Sequence, residues 1–148
     1  MKDQREDVPA GYAAHFRKSP LTEPWEPIYS RVSHGVVYLA LYVKRQHCNG
    51  RGIAHGGLIS TLADNAMGLS VAATIANANE VEAQERAVRG AVTVHLGVDF
   101  LGSGKVDDLI EFKPRVLKIG RSLAFTDCIV EASSGVIARA NATFRLAD

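Results

Sequence analysis

The sequence predicts an α+β domain, with one long helix laid on one face of a curved sheet of five or six antiparallel strands. Three observations predict it. From His47 to Gly68 the chain opens as a loop with glycines at 50, 52, 56 and 57, then passes without a proline into a helical pattern reaching about Ala78. Between Val92 and Phe100 the apolar residues Val92, Val94, Leu96, Val98 and Phe100 alternate with Thr93, His95, Gly97 and Asp99, which predicts two opposite strand faces. Finally, the strand-like runs Ala87 to Leu101, Leu109 to Ile119, Ser122 to Glu131 and Val136 to Leu146 are joined only by short turn signals, at 102–104, 120–121 and 133–135. Such connections make an antiparallel meander.

The elements follow in order. Residues 1–27 form an N-terminal extension, partly helical, and residues 28–148 the main domain. Within the extension, Tyr12 and Phe16 are four apart and suggest a short helix over Gly11 to Lys18. Pro20, Pro24 and Pro27 then keep the chain extended up to Ile28, with Trp25 covering the edge of the core. Ile28 to Arg45 reads as strands around a turn at Ser33-His34-Gly35. The helix comes next, and Glu80 to Arg86 is a polar connector.

At 148 residues the chain suits one domain with a core of its own. A net charge of +1 gives no general affinity for nucleic acid. No apolar run approaches the ~20 residues of a membrane span, so no membrane partner is expected. Cys48 and Cys128 suggest no disulfide framework, and a cytoplasmic setting is expected.

Geometry separates the helix faces. At 100° per residue, Gly57, Ser60, Thr61, Gly68 and Val71 fall within about 60° of Asp64, while Leu58, Ile59, Leu62, Ala66, Leu69 and Ala73 face away. One face is therefore aliphatic and suits a sheet. The other is small and polar around a single carboxylate.

That arrangement suits acyl transfer or acyl hydrolysis. Gly56 and Gly57 at a helix start let a carbonyl approach bare backbone N–H groups, which stabilise the oxygen as it gains charge. Asp64 serves as general base or nucleophile. Asn49 can orient water or the carbonyl. His47, Cys48 and His55 match no zinc spacing, so neither metal nor cofactor is expected. Lys118 and Arg121 flank a basic turn able to meet a phosphate.

The run N-G-R-G-I-A-H-G-G-L-I-S-T-L-A-D-N-A resembles the signature of hotdog-fold thioesterases of the PaaI-like, phenylacetic-acid-degradation type. The resemblance covers about residues 28 to 146, including V-T-V-H-L-G-V-D-F-L and L-K-I-G-R-S-L-A-F. It implies a hotdog fold, dimers or dimers of dimers, and hydrolysis of acyl-CoA thioesters without a cofactor. It implies Asp64 as the catalytic carboxylate and the Gly56 N–H as the donor to the thioester carbonyl. Asn49 and His55 shape that hole, and Thr93 places the water. Gly57 and Thr61 adjoin the substrate, and Lys118 and Arg121 meet the nucleotide phosphates. The acid faces the Asn and Gly of the other subunit, so the active sites are shared. Residues 1–27 depart from this pattern as a longer extension than the minimal domain needs. A non-catalytic acyl-CoA-binding module and an enoyl-CoA hydratase are the alternatives on the same fold. The first needs no Asp64, and the second wants an acid–base pair at the acyl α and β carbons.

Overall fold

The computed structural model describes residues 7–78 and 91–146. It contains β1 (Ala13–Ala14), β2 (Tyr29–Ser33), β3 (Val36–Tyr42), α1 (Gly56–Ala78), β4 (Ala91–Phe100), β5 (Leu109–Ile119), β6 (Leu123–Ala132) and β7 (Gly135–Leu146). The strands form one seven-stranded antiparallel sheet in the order β1-β2-β3-β5-β6-β7-β4, rather than the five or six expected. This is the hotdog arrangement, a sheet curled around one long helix. β4 follows α1 in sequence but pairs with β7, so it forms the far edge.

Local chemistry sets the hairpins. His34 (φ 51°) and Gly35 (φ 75°) both take left-handed backbone, which makes the two-residue turn whose twist matches its strands. On the helix, Leu58, Leu62, Ala66 and Met67 are buried in one cluster with Leu39 and Leu41 of β3 and Ile110 and Phe112 of β5. Val71 is also fully buried, although it shares Asp64's side of the helix. The open polar face therefore stops short of Val71. By length and composition Gly56–Asn77 could cross a membrane, contrary to the sequence-based expectation, but here it is the core helix inside the sheet.

A buried hydroxyl fastens helix to sheet. β3 pairs with β5 only from Leu39 onward, so Val37 lies beyond the ladder. Its N–H donates instead to Ser70 Oγ at 2.9 Å, and that hydroxyl donates to Ala66 O at 2.7 Å.

The regular alternation expected in β4 breaks. Thr93 pairs with Phe144 and His95 with Thr143, so Val94 is an extra residue in a β-bulge. The strand changes phase there. Thr93 joins Leu96, Val98 and Phe100 on the face toward α1, while Val92 is left on the outer face with His95, Gly97 and Asp99.

The extension also differs from expectation. Gly11 to Lys18 is not helical: Ala13 and Ala14 pair with Ser30 and Tyr29, because the open edge of β2 supplies hydrogen bonds. The Tyr12 hydroxyl donates to Glu111 Oε2 at 2.9 Å. Nor does the proline segment run straight to Ile28. Glu23–Trp25 forms a 3-10 turn with Pro24 in its first turn, where a missing N–H is tolerated. His15 is buried, with neither ring nitrogen hydrogen-bonded among the described residues. Residues 1–6, 79–90 and 147–148 lie outside the described residues, and with them the Glu80–Arg86 connector and the start of the run from Ala87.

Two outcomes follow. Ser70→Ala should destabilise the protein by about 1–3 kcal/mol in urea unfolding, since it leaves the Val37 N–H buried without a partner. Burial holds the His15 pKa below its ordinary 6.5, with the Glu26 charge opposing and Arg17 assisting. Below pH 6.5 the unfolded chain takes up a proton that the folded chain refuses, so stability falls as the pH drops toward the lower native value. His15→Phe should remove that part of the difference between denaturation midpoints at neutral and acidic pH.

Candidate active site

The acid sits where the bulge aims a hydroxyl. Asp64, in the second turn past the glycines, is half-buried, and Thr93 Oγ1 donates to its Oδ1 at 2.7 Å. The second carboxylate oxygen is left for a substrate or water. Around the pair lies a cavity of about 300 Å³, bounded by Thr61, Asp64, Asn65 and Gly68 of α1, by Thr93 and Phe144 of the sheet, and by residues of the N-terminal extension.

The glycine turn is built separately. His55 caps α1: its Nδ1 accepts from the Gly57 N–H at 2.8 Å, satisfying one of the donors a helix start leaves open. Nδ1 is therefore an acceptor, and His55 acts on the turn rather than on Asp64. No hydrogen bond among the described residues occupies the Gly56 N–H. A side chain at Gly56 would meet Phe100 Cζ at 3.1 Å, so only a glycine fits beneath that ring without displacing it. Thr61 Oγ1 donates to Gly57 O at 2.8 Å. Thr61 also lines both the Asp64 cavity and a second one, of about 410 Å³, walled by Trp25, His47, His55 and Gly57. The two cavities meet on this side chain, and Trp25 helps wall the second.

Other expected members lie apart. Asn49 Oδ1 accepts from the N–H groups of Arg51 (2.9 Å) and Ile53 (3.4 Å), which closes its own loop. It borders a third cavity with Arg45, Cys48 and Gly52, away from Asp64. Lys118 and Arg121 are exposed at the β5–β6 turn, and neither lines the Asp64 cavity. That turn lies at Thr93's end of the sheet, since Thr93, Phe144, Ala124 and Ile119 form one cross-strand row. The separation is about three strand spacings, ~14 Å. His47 is structural: Nδ1 accepts from Lys44 N–H and Nε2 donates to Trp25 O, both at 2.9 Å. Nothing periodic or local in the sequence places Arg17, Ser19 or Leu21 beside Asp64, because that contact is long-range.

Distance then restricts the chemistry. Gly56 and Asp64 are eight residues apart on one helix, ~12 Å along its axis. A reacting carbon must lie ~3 Å from both its activating base and its oxyanion donor. Within one chain these two groups cannot serve the same atom.

Comparison with known proteins agrees with this architecture. Residues 51–138 match the family described as the thioesterase superfamily. The esterase candidate PA0474 of Pseudomonas aeruginosa is 34% identical over 141 residues, 95% of this chain and 98% of that protein. Human acyl-coenzyme A thioesterase 13 is 32% identical over 114 residues, 76% of this chain and 74% of that one. Among solved structures, smu.793 of Streptococcus mutans, bound to acetyl CoA, superposes with a TM-score of 0.70 at 27% identity, covering 89% of this chain and 94% of that one. The PaaI protein of E. coli shares the fold, with a TM-score of 0.68 at 20% identity over 82% of this chain and 80% of that one. The chain therefore belongs to the thioesterase superfamily, with the hotdog fold, and is a thioester hydrolase.

Proposed function

We propose that the chain hydrolyses acyl-coenzyme A thioesters at active sites shared between two copies. The observation that carries this is the Thr93-supported Asp64 carboxylate in an open cavity, ~12 Å along the same helix from an unoccupied Gly56 N–H. The edge strand supports the pairing. β4 presents Val92 (60% exposed), Val94 (55%) and Phe100 (53%) at an unpartnered sheet edge, which a soluble protein normally covers. Thr93 and Phe100 lie at opposite ends of β4, and Phe100 packs on Gly56. A two-fold axis through the middle of antiparallel β4 pairs brings the Asp64 end of one chain to the Gly56 end of the other. Relatives named as acyl-coenzyme A thioesterases, and the acetyl CoA held by smu.793, support this substrate class.

In this reading Asp64 takes a proton from water as the oxygen adds to the thioester carbon, or attacks that carbon itself to form a mixed anhydride that water then hydrolyses. The carbonyl oxygen, gaining charge, is held by the partner's Gly56 N–H at the start of its helix. The C–S bond breaks, the coenzyme A thiolate leaves and takes up a proton, and the acid is released. Thr93 keeps one Asp64 oxygen engaged and the other turned to the water. His55 keeps the glycine turn in shape, and the Asn49 amide nitrogen borders the hole. Lys118 and Arg121 meet the nucleotide phosphates.

Thiol release from a panel of acyl-CoAs tests this. Asp64→Asn should cut the rate by roughly 100- to 10,000-fold, and full activity in that variant rejects the mechanism. Asp64→Asn and Asn49→Ala chains, each inactive alone, should regain activity on being unfolded and refolded together. Random pairing leaves roughly a quarter of all sites with neither defect, whereas sites confined to one chain give no recovery.

A further inference from the structure

The N-terminal extension does more than add a two-residue strand. After Ala14 the chain crosses to the helix, and Arg17, Ser19 and Leu21 line the Asp64 cavity. The segment is held in place at both ends. His15 N–H donates to Ile28 O at 2.9 Å, and Thr22 is buried, with its hydroxyl bonded to Ser19.

The character of this wall is specific. The cavity is open to solvent on the side of the arm. Its lining holds one acid, Asp64, and one cation, Arg17. Arg17 is exposed at the rim and makes no ion pair among the described residues. Ser19 and Asn65 add hydrogen-bonding groups, while Leu21 and Leu69 are apolar. A neutral hydrocarbon chain leaves the guanidinium without a partner. An acyl group with a carboxylate at its far end satisfies it while keeping the carbonyl at Asp64.

We propose that this arm is the acyl-selecting wall, and that Arg17 favours acyl groups ending in a carboxylate over neutral ones of equal length. The assignment rests on the thioesterase reading of the Asp64 site. The test compares kcat/KM for ω-carboxyacyl-CoAs with that for neutral acyl-CoAs of the same chain length. Wild type should prefer the carboxyacyl series. Arg17→Met should lower that preference about two- to fivefold, the range for an ion pair to an exposed guanidinium, and Arg17→Lys should restore part of it. The loss should persist with acyl-pantetheine thioesters, which lack the nucleotide. An unchanged ratio in Arg17→Met overturns the proposal, as does a loss that disappears with the pantetheine substrates, which places Arg17 on the coenzyme's phosphates. Non-hydrolysable thioether analogues of both series, measured by calorimetry, separate the two claims. If no acyl-CoA is hydrolysed, the hydrolase reading fails. Selective weakening of the carboxylated analogue by Arg17→Met still upholds the arm's role, and equal weakening of both analogues overturns it.

Discussion

One carboxylate in a long uncharged helix sets the terms for this molecule. α1 runs 23 residues and carries a single ionisable side chain, Asp64. A helix so apolar must be covered on most sides, and the sheet curls around it to do so. A charge within such an element is costly unless it is hydrogen-bonded or reaches water. Asp64 has both: the Thr93 hydroxyl at 2.7 Å and an open cavity. The hydroxyl is available only because one extra residue, Val94, turns Thr93 inward. A bulge that is a local defect in the ladder thus supplies the acid's partner.

The second constraint comes from the sheet's far edge. β4 is the next described element after the helix, yet joins the sheet beside β7, and among the described residues no strand pairs with its other side. Its exposed valines make that edge a liability for a solitary chain. The glycine turn and the acid face a matching problem, being too far apart on one helix to act on one atom. The proposed two-fold pairing answers both, since covering the edge also brings opposite ends of two helices together. Folding and chemistry then favour the same assembly, which is stronger ground than either gives alone.

What the sequence made legible was whatever is periodic or local. The helix limits, the His34-Gly35 turn and the strand runs after residue 90 follow from spacing and turn chemistry, and the structure has them. Thr93 did not, because a bulge shifts the phase of a strand without disturbing its apolar-polar alternation. Val71 shows the limit of a helical wheel, which knows angle but not how far along the axis the covering sheet extends. Tyr12 and Phe16 have helical spacing by coincidence. Their segment is governed by the open edge of β2, a partner reached only after the chain has turned back. Asn49, Gly56 and Asp64 group by residue type and spacing in the sequence, but that Asn49 and Asp64 border separate cavities is seen only in the fold.

In the proposed reading, the arm's attachment separates selection from catalysis. Asp64, Thr93 and Gly56 belong to a helix and a strand fixed by the whole core, and little about them can change without cost. The arm is held by two residues of strand pairing, the Tyr12–Glu111 hydrogen bond and a few contacts around His15 and Thr22. Its side chains reach the cavity from outside the helix–sheet core, so replacing one disturbs no packed neighbour of the catalytic pair. The His15 ring, buried with neither nitrogen hydrogen-bonded among the described residues, is the weak point of that attachment. Protonating it sets a charge where burial favours the neutral ring. The wall proposed to select the acyl group is therefore the part of the site least tied to the core.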